Sequence, residues 1–306
     1  MRFAKGHGTE NDFVILLDPD GSEGLTADLA ARLCDRRAGI GGDGVLRAVR
    51  AAAQGAGGAR GDGTAAAEWF MDYRNADGSV AEMCGNGIRV FARYLAEHRL
   101  AEGPEFTVAT RSGPRRVRLG GDGAVTADMG AVDVLGPATA VVAGQALPGL
   151  QVSVGNPHCA CLVDGPLAGF DLSGPPGLDP ARFPGGGNVE LVRVTGPRSI
   201  AMRVRERGSG ETRSCGTGAV AAAVAAAAAR GLAAGGEAAR GEGTQAARDD
   251  GDAWEVTVPG GMLTVTLEAG RAQLTGPAVI VAEGELDPGW LASSAGDRAS
   301  ARAASR

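Results

Sequence analysis

Among its 306 residues the chain has one lysine, Lys5, and three histidines, His7, His98 and His158. The single lysine removes the commonest route to amino-acid racemisation. A pyridoxal-phosphate enzyme needs a Schiff-base lysine, and Lys5 lies in what reads as the first strand, ahead of any phosphate-binding loop. No cofactor is therefore expected. Basic residues are not clustered and the net charge is −6, so no nucleic-acid surface is expected, because phosphate neutralisation needs grouped Lys and Arg. Long apolar runs are also missing: the longest, 219–229, falls short of the roughly 20 residues that span a bilayer. The opening residues show no apolar core of signal-peptide length. These absences point to a cytoplasmic protein, without membrane contact, that handles a small polar ligand.

What is present is a globular composition, 44% hydrophobic and 22% charged, enough to bury a core. Short β-like runs alternate with helical ones: strands at 13–17, 69–73 and 106–109, helices at 26–37 and 88–99. In the second half, 151–163, 189–194 and 200–205 read as strands, followed by an Ala-rich helix over 216–230 that Gly231 is expected to end. Thr26 suits an N-cap, and Ile88, Phe91, Ala92 and Leu95 form an i, i+3, i+4, i+7 stripe. Three stretches, 51–67, 233–252 and 287–306, are rich in Ala, Gly, Arg and acids without apolar period. The first two read as loop insertions and the last as a disordered tail.

Aligning the chain with itself is more informative. Arg74-Asn75, nine residues before Cys84-Gly85-Asn86-Gly87, is echoed 131 residues later by Arg205-Glu206 before Cys215-Gly216-Thr217-Gly218. A weaker echo sets Asn11 and its strand beside Asn156 and its strand. Self-similarity of this kind implies two copies of one supersecondary unit about a pseudo-twofold axis, with a cleft that receives one cysteine from each copy. We expect lobes at 1–128, completed by a strand near 277–284, and at 129–276.

Each cysteine precedes a glycine pair and a helical run, which sets its sulfur at a helix N-terminus. The helix dipole lowers a thiol pKa, but its 0.3–1 kcal/mol or so is less than one pKa unit; desolvation and a specific hydrogen bond must supply the rest. The glycines allow the N–H groups of Gly85, Asn86, Gly216 and Thr217 to approach a carboxylate closely. Removing the α-proton of an amino acid sends charge onto that carboxylate, so donors aimed there stabilise the transition state. Inversion needs a base on one face and an acid on the other, hence one thiolate and one thiol. A lone cysteine is usually a small buried hydrophobe; duplication at matched helix starts argues otherwise. Cys34 reads as core, and Cys159 and Cys161 as packing residues on one strand face, lacking the second ligand pair of a zinc site.

The ordered motifs Asn11-Asp12-Phe13, Gly39-Ile40-Gly41-Gly42-Asp43-Gly44, Asn75-Ala76-Asp77-Gly78-Ser79, Met83-Cys84-Gly85-Asn86-Gly87, Gly155-Asn156-Pro157-His158, Asn188-Val189-Glu190, Glu206-Arg207-Gly208 and Cys215-Gly216-Thr217-Gly218 resemble the diaminopimelate epimerase family. The resemblance runs from the N-terminus to about Gly284. It implies a mixed α/β fold of two pseudo-symmetric lobes, each a curved mixed β-sheet around a central helix. It also implies interconversion of LL- and meso-diaminopimelate, for lysine and peptidoglycan precursors, without metal or pyridoxal phosphate, in a homodimer. On that basis Cys84 and Cys215 match the catalytic pair, and His158 and Glu206 the groups that support proton transfer. Gly85, Asn86, Gly216 and Thr217 match the α-carboxylate clamp, and Asn11, Asn75, Asn156, Asn188, Glu206 and Arg207 the remaining substrate contacts. The chemistry fits a substrate with two zwitterionic ends, for which Arg207 pairs with a carboxylate, Glu206 with an ammonium, and asparagine amides read oxygens without adding charge. One departure is Gly44, where many members carry Gln.

Two other readings stay open at this point. A proline or hydroxyproline racemase shares the paired cysteines, but its substrate lacks a distal zwitterion. A thiol redox protein would cycle Cys84 and Cys215 through a disulfide and exchange no substrate hydrogen.

Overall fold

The computed structural model describes residues 1–54, 67–234 and 252–293, so most of the insertions expected at 51–67 and 233–252, and most of the tail, lie outside the described residues. The chain divides into two compact units, one comprising Met1–Gly8, Asp12–Leu119 and Ala278–Arg306, the other Thr9–Asn11 and Gly120–Pro277. The division falls after Leu119, upstream of the 128/129 boundary expected from sequence. The cause is strand pairing, because residues 124–131 lie antiparallel against 271–277.

The first unit contains β1 (Arg2–Gly8), β2 (Asn11–Leu17), α1 (Ala27–Cys34), β3 (Gly44–Arg50), β4 (Trp69–Asn75), α2 (Gly85–Glu97), β5 (Glu105–Thr110) and β6 (Gly113–Leu119). The second contains β7 (Ala124–Ala131), β8 (Asp133–Val142), β9 (Gln145–Ser153), β10 (Pro157–Leu162), β11 (Gly177–Leu178), β12 (Asn188–Gly196), β13 (Ser199–Glu206), β14 (Gly210–Thr212), α3 (Gly216–Ala234), β15 (Asp252–Val258), β16 (Gly261–Glu268) and β17 (Arg271–Pro277). The chain then returns to the first unit with β18 (Val279–Glu285) and α4 (Pro288–Ala292). The disordered tail expected at 287–306 is ordered at its start: Asp287 caps α4 by accepting the Trp290 N–H, and Trp290 and Leu291 pack on the cluster of Val14, Leu16 and Leu33.

Each unit repeats one topology. The first runs β18-β1-β2-β3-β4-β5-β6, with β2 parallel to β3, β3 antiparallel to β4, β4 parallel to β5 and β5 antiparallel to β6. The second runs β8-β9-β10-β12-β13-β15-β16 with the same succession of parallel and antiparallel pairs from β10 onward. In the register of the two parallel pairs, Phe13 faces Gly44 and His158 faces Asn188. Phe13 is therefore the counterpart of His158, and Leu46 that of Glu190.

Both sheets curve round a helix. Helix α2 touches β18 and β1 at one end of its sheet and β6 at the other, and the stripe Ile88, Phe91, Ala92 and Leu95 is fully buried. Helix α3 touches β9, β10, β12, β13 and β15 to β17 and is buried on all sides from Ala219 to Ala226. A helix enclosed on every side shows no amphipathic period, and alanine lets strands approach closely. It continues to Ala234, so Gly231 does not end it; in an interior position glycine only weakens a helix, by about 1 kcal/mol relative to alanine. The strand expected over 151–163 is interrupted by a turn at Gly155, whose φ is 85°, and that turn aims Asn156 and His158.

The lone lysine is committed to structure. Lys5 Nζ donates to Asp12 Oδ2 at 2.6 Å and to the Gly41 carbonyl, while Arg36 grips both Asp12 oxygens at 2.9 and 2.7 Å. Burial would raise the Asp12 carboxyl, but hydrogen bonds from Arg36 and Lys5 overcome that and hold it well below the usual carboxylate range. A carboxylate depressed on folding contributes stability at neutral pH that is lost as pH falls below about 4. Arg36 is largely exposed and its share is screened. Asp12→Asn is therefore expected to cost about 1–2 kcal/mol in urea denaturation at neutral pH, a difference that fades below about pH 4. A cost independent of pH would contradict the ionic account.

Candidate active site

Both sequence-predicted cysteines stand at the heads of the central helices. Cys84 is the N-cap of α2 in extended conformation, its sulfur accepting the Gly87 N–H at 3.3 Å and its carbonyl the Ile88 N–H. Cys215 repeats this at α3, where its sulfur accepts the Gly218 N–H at 3.4 Å and its carbonyl the Ala219 N–H. A thiolate in this place takes charge-assisted hydrogen bonds and the positive end of the helix.

The surroundings of the two sulfurs differ. Cys84 is half-buried, and Arg89, one turn along α2, is fully buried and donates to the Gly85 carbonyl at 3.0 Å. Burial pulls the Arg89 guanidinium down to about 10, and interaction with Cys84 opposes that. Cys215 is buried, and its thiol is pushed well above the ordinary range by that burial and by the carboxylates of Glu206 and Glu190, against the pull of Thr217 and the Gly218 N–H. The Glu206 carboxyl is itself raised by burial, with Thr212, Cys215 and His158 drawing it the other way. Burial and both carboxylates thus favour the thiol form of Cys215.

Around Cys215 the second unit gathers most of the other predicted residues. Thr212 Oγ1 donates to Glu206 Oε1 at 2.5 Å. The Cys215 sulfur lies 3.5 Å from Thr217 Oγ1, which accepts from Asn156 Nδ2 at 3.3 Å. Asn156 Oδ1 lies 3.0 Å from His158 Nε2, and His158 Nδ1 lies 2.7 Å from Glu190 Oε1. Asn188 is buried at the head of β12 and spends its Oδ1 on the Arg207 N–H at 2.8 Å; the exposed Arg207 guanidinium donates to the Gly185 carbonyl. Asn11, buried at the head of β2, belongs to this unit as well. Gly216 and Thr217 open α3. In the first unit Gly85 and Asn86 are buried in the first turn of α2, and Asn75 closes β4 with its Nδ2 on Ser79 Oγ at 3.0 Å, a local turn contact.

Gly44 is explained by packing. A Cβ there would stand 2.6 Å from the Arg74 carbonyl and 2.6 Å from the Tyr73 ring, so β4 occupies the space a side chain would need. Two further residues belong to the site although motif reading gave them no role: Glu190 and Arg89. Each is a lone charge in an otherwise apolar stretch, Val189-Glu190-Leu191-Val192 and Ile88-Arg89-Val90-Phe91. That is the signal that could have found them, because buried charges are kept only where something compensates them. Among the described residues no group of three or more His, Cys, Asp or Glu side chains is gathered to hold a metal ion.

Comparison with solved structures defines the class first. A phenazine biosynthesis protein of the PhzF family from Bacillus anthracis aligns with a TM-score of 0.60 at 16% identity, over 94% of this chain and 99% of its own. A probable proline racemase from Agrobacterium radiobacter aligns with a TM-score of 0.60 at 15% identity, over 94% and 93%. At these identities the likeness is one of fold. Sequence comparison then narrows the class: the family model for diaminopimelate epimerase matches residues 3–135 and 150–284. The diaminopimelate epimerase of Thermobifida fusca is 56% identical over 94% of this chain and 98% of its own, and that of Rhodococcus opacus is 49% identical over 95% and 98%. The chain belongs to the diaminopimelate epimerase family.

Of the five cysteines, Cys84 alone is more than marginally exposed. Cys34 is pushed up to about 12 by burial, and Cys161 is raised by its contact with Cys159 and by burial. Limited alkylation of the native, reduced protein should modify Cys84 first, as read by peptide mapping, with Cys34, Cys159 and Cys161 reacting only on unfolding. Labelling of Cys159 or Cys161 at the rate of Cys84 would contradict this assignment.

Proposed function

We propose that the chain interconverts LL- and meso-diaminopimelate, one cysteine removing the α-proton and the other returning a proton to the opposite face. The observation that carries this reading is the matched pair of thiol N-caps, each the acceptor of a first-turn glycine N–H. One cysteine of the pair starts as thiolate and the other as thiol. Proton transfer in one direction exchanges these states, so the apparent pKa values in a pH–rate profile belong to the pair. The N–H groups of Gly85, Asn86, Gly216 and Thr217 receive the α-carboxylate, on which carbanion charge develops. Glu206, braced by Thr212, and His158 support proton movement at Cys215. Asn11, Asn75, Asn156, Asn188, Glu206 and Arg207 bind the rest of the substrate, with the charged pair Glu206-Arg207 suited to the distal zwitterion.

A homodimer in the cytoplasm is part of the proposal. It rests on the family, and it is compatible with the described helices, none of which is long and apolar enough to cross a membrane.

The test is incubation of the reduced protein with LL-diaminopimelate in deuterated water, without added cofactor. Formation of the meso isomer with α-deuterium is expected. Cys84→Ala and Cys215→Ala should each lower turnover about a hundredfold or more. Near-normal epimerisation by either variant, or racemisation of proline with no exchange in diaminopimelate, would overturn the reading.

A further inference from the structure

We propose that Glu190 is a positioning residue whose buried carboxylate holds His158 as an imidazolium, both ring nitrogens donating, at the head of α3. The proposal rests on the epimerase reading above and adds to it a residue and a protonation state.

The first observation is a comparison of the two units. Beneath the first-turn glycine of α2 the neighbours are apolar: a Cβ at Gly87 would stand 3.3 Å from Leu46 and 3.5 Å from the Phe13 ring. Beneath the matching glycine of α3 they are not. A Cβ at Gly218 would stand 2.8 Å from Glu190 Oε1 and 3.3 Å from Glu190 Cγ. The strand registers make Phe13 the counterpart of His158 and Leu46 that of Glu190. One topology therefore carries an apolar pair in one copy and a charged pair in the other. Both members of the charged pair are fully buried. A buried ion pair is often no more stable than apolar residues of similar volume, and here the sister unit displays the apolar solution. Stability alone does not account for Glu190.

The second observation is the direction of the hydrogen bonds. Glu190 Oε1 lies 2.7 Å from His158 Nδ1, in the range of charge-assisted bonds. On the other side of the ring, Nε2 lies 3.0 Å from Asn156 Oδ1. Asn156 Nδ2 is the donor to Thr217 Oγ1, so its Oδ1 is left as an acceptor and Nε2 must donate. With a carboxylate at Nδ1 and an amide oxygen at Nε2, both ring nitrogens face acceptors, an arrangement that suits a ring carrying two protons. The chain Glu190–His158–Asn156–Thr217 then ends 3.5 Å from the Cys215 sulfur, so Glu190 acts on Cys215 through the orientation and charge of His158. The other titratable groups that face Glu190 are Cys161 on β10, Glu206 on β13 and Cys215 at the head of α3.

The experiment has a spectroscopic arm and a kinetic one. With only three histidines in the chain, nitrogen-15 histidine spectra of the reduced wild-type protein are resolvable, with His158→Gln assigning the signal. At about pH 7.5 both His158 ring nitrogens should resonate as protonated and donating. In Glu190→Gln one of them should become unprotonated, kcat should fall about tenfold or more with KM within about threefold, and the limbs of the pH–rate profile should move. A neutral His158 in the wild-type protein overturns the proposal, and so does Glu190→Gln with unchanged kcat and pH profile. If the wild-type protein shows no diaminopimelate epimerisation, the epimerase reading fails while the spectra still decide the state of the pair. If Glu190→Gln does not fold, the wild-type spectra decide alone.

Discussion

The structure turns on a single local arrangement used twice: a cysteine that stands directly before a buried helix and caps it with its sulfur. The bond from a first-turn N–H to Sγ, 3.3 Å at Cys84 and 3.4 Å at Cys215, requires that the cap residue be extended while the next residues are already helical. Glycine three residues on lets the sulfur and the strands beneath come close to the helix head. Burying each helix inside a curved sheet places that bond in a low-dielectric setting, where it is stronger than in water. Curvature of the sheet, an apolar helix and a glycine-rich turn are thus parts of one requirement.

Duplication supplies two equal caps, but proton transfer between two faces of a carbon needs unequal ones. The inequality comes from what surrounds each sulfur. At Cys215, burial and two carboxylates favour the thiol. Near Cys84 the buried charge is the Arg89 guanidinium, which attracts a thiolate. In the proposed transfer each influence reverses in part once a proton has moved, because removing charge from one sulfur and adding it to the other changes the field felt by the same neighbours. The asymmetry extends to the layer below, where Phe13 and Leu46 in one copy answer to His158 and Glu190 in the other.

Much of the site was legible because its residues are local in sequence. The Cys-Gly-x-Gly turns, their spacing of 131 residues and the preceding Asn75 and Glu206 need only a repeat and elementary helix-cap chemistry. The apolar stripe of α2 and the Thr26 cap of α1 were legible for the same reason, since a period of 3.6 and a capping hydroxyl are written within one turn or two. Helix α3 runs past the end expected at Gly231 to Ala234, because an alanine-rich helix with few larger side chains carries no stripe to show where burial stops.

Sequence by itself determined the two thiol caps, the mixed α/β class, the duplication and the single lysine that argues against a Schiff-base cofactor. Only the tertiary structure decided that β7 pairs with β17 and so moves the unit boundary to Leu119. It alone shows that Asn75 and Asn188 each give one amide atom to local bracing. It alone brings Glu190 under Gly218 and onto His158. The physical reason is the range of the interactions: caps and helical periods act over three or four residues, whereas strand register and a buried charge pair join residues tens or more than a hundred positions apart, and nothing in the local sequence records which strand will lie alongside.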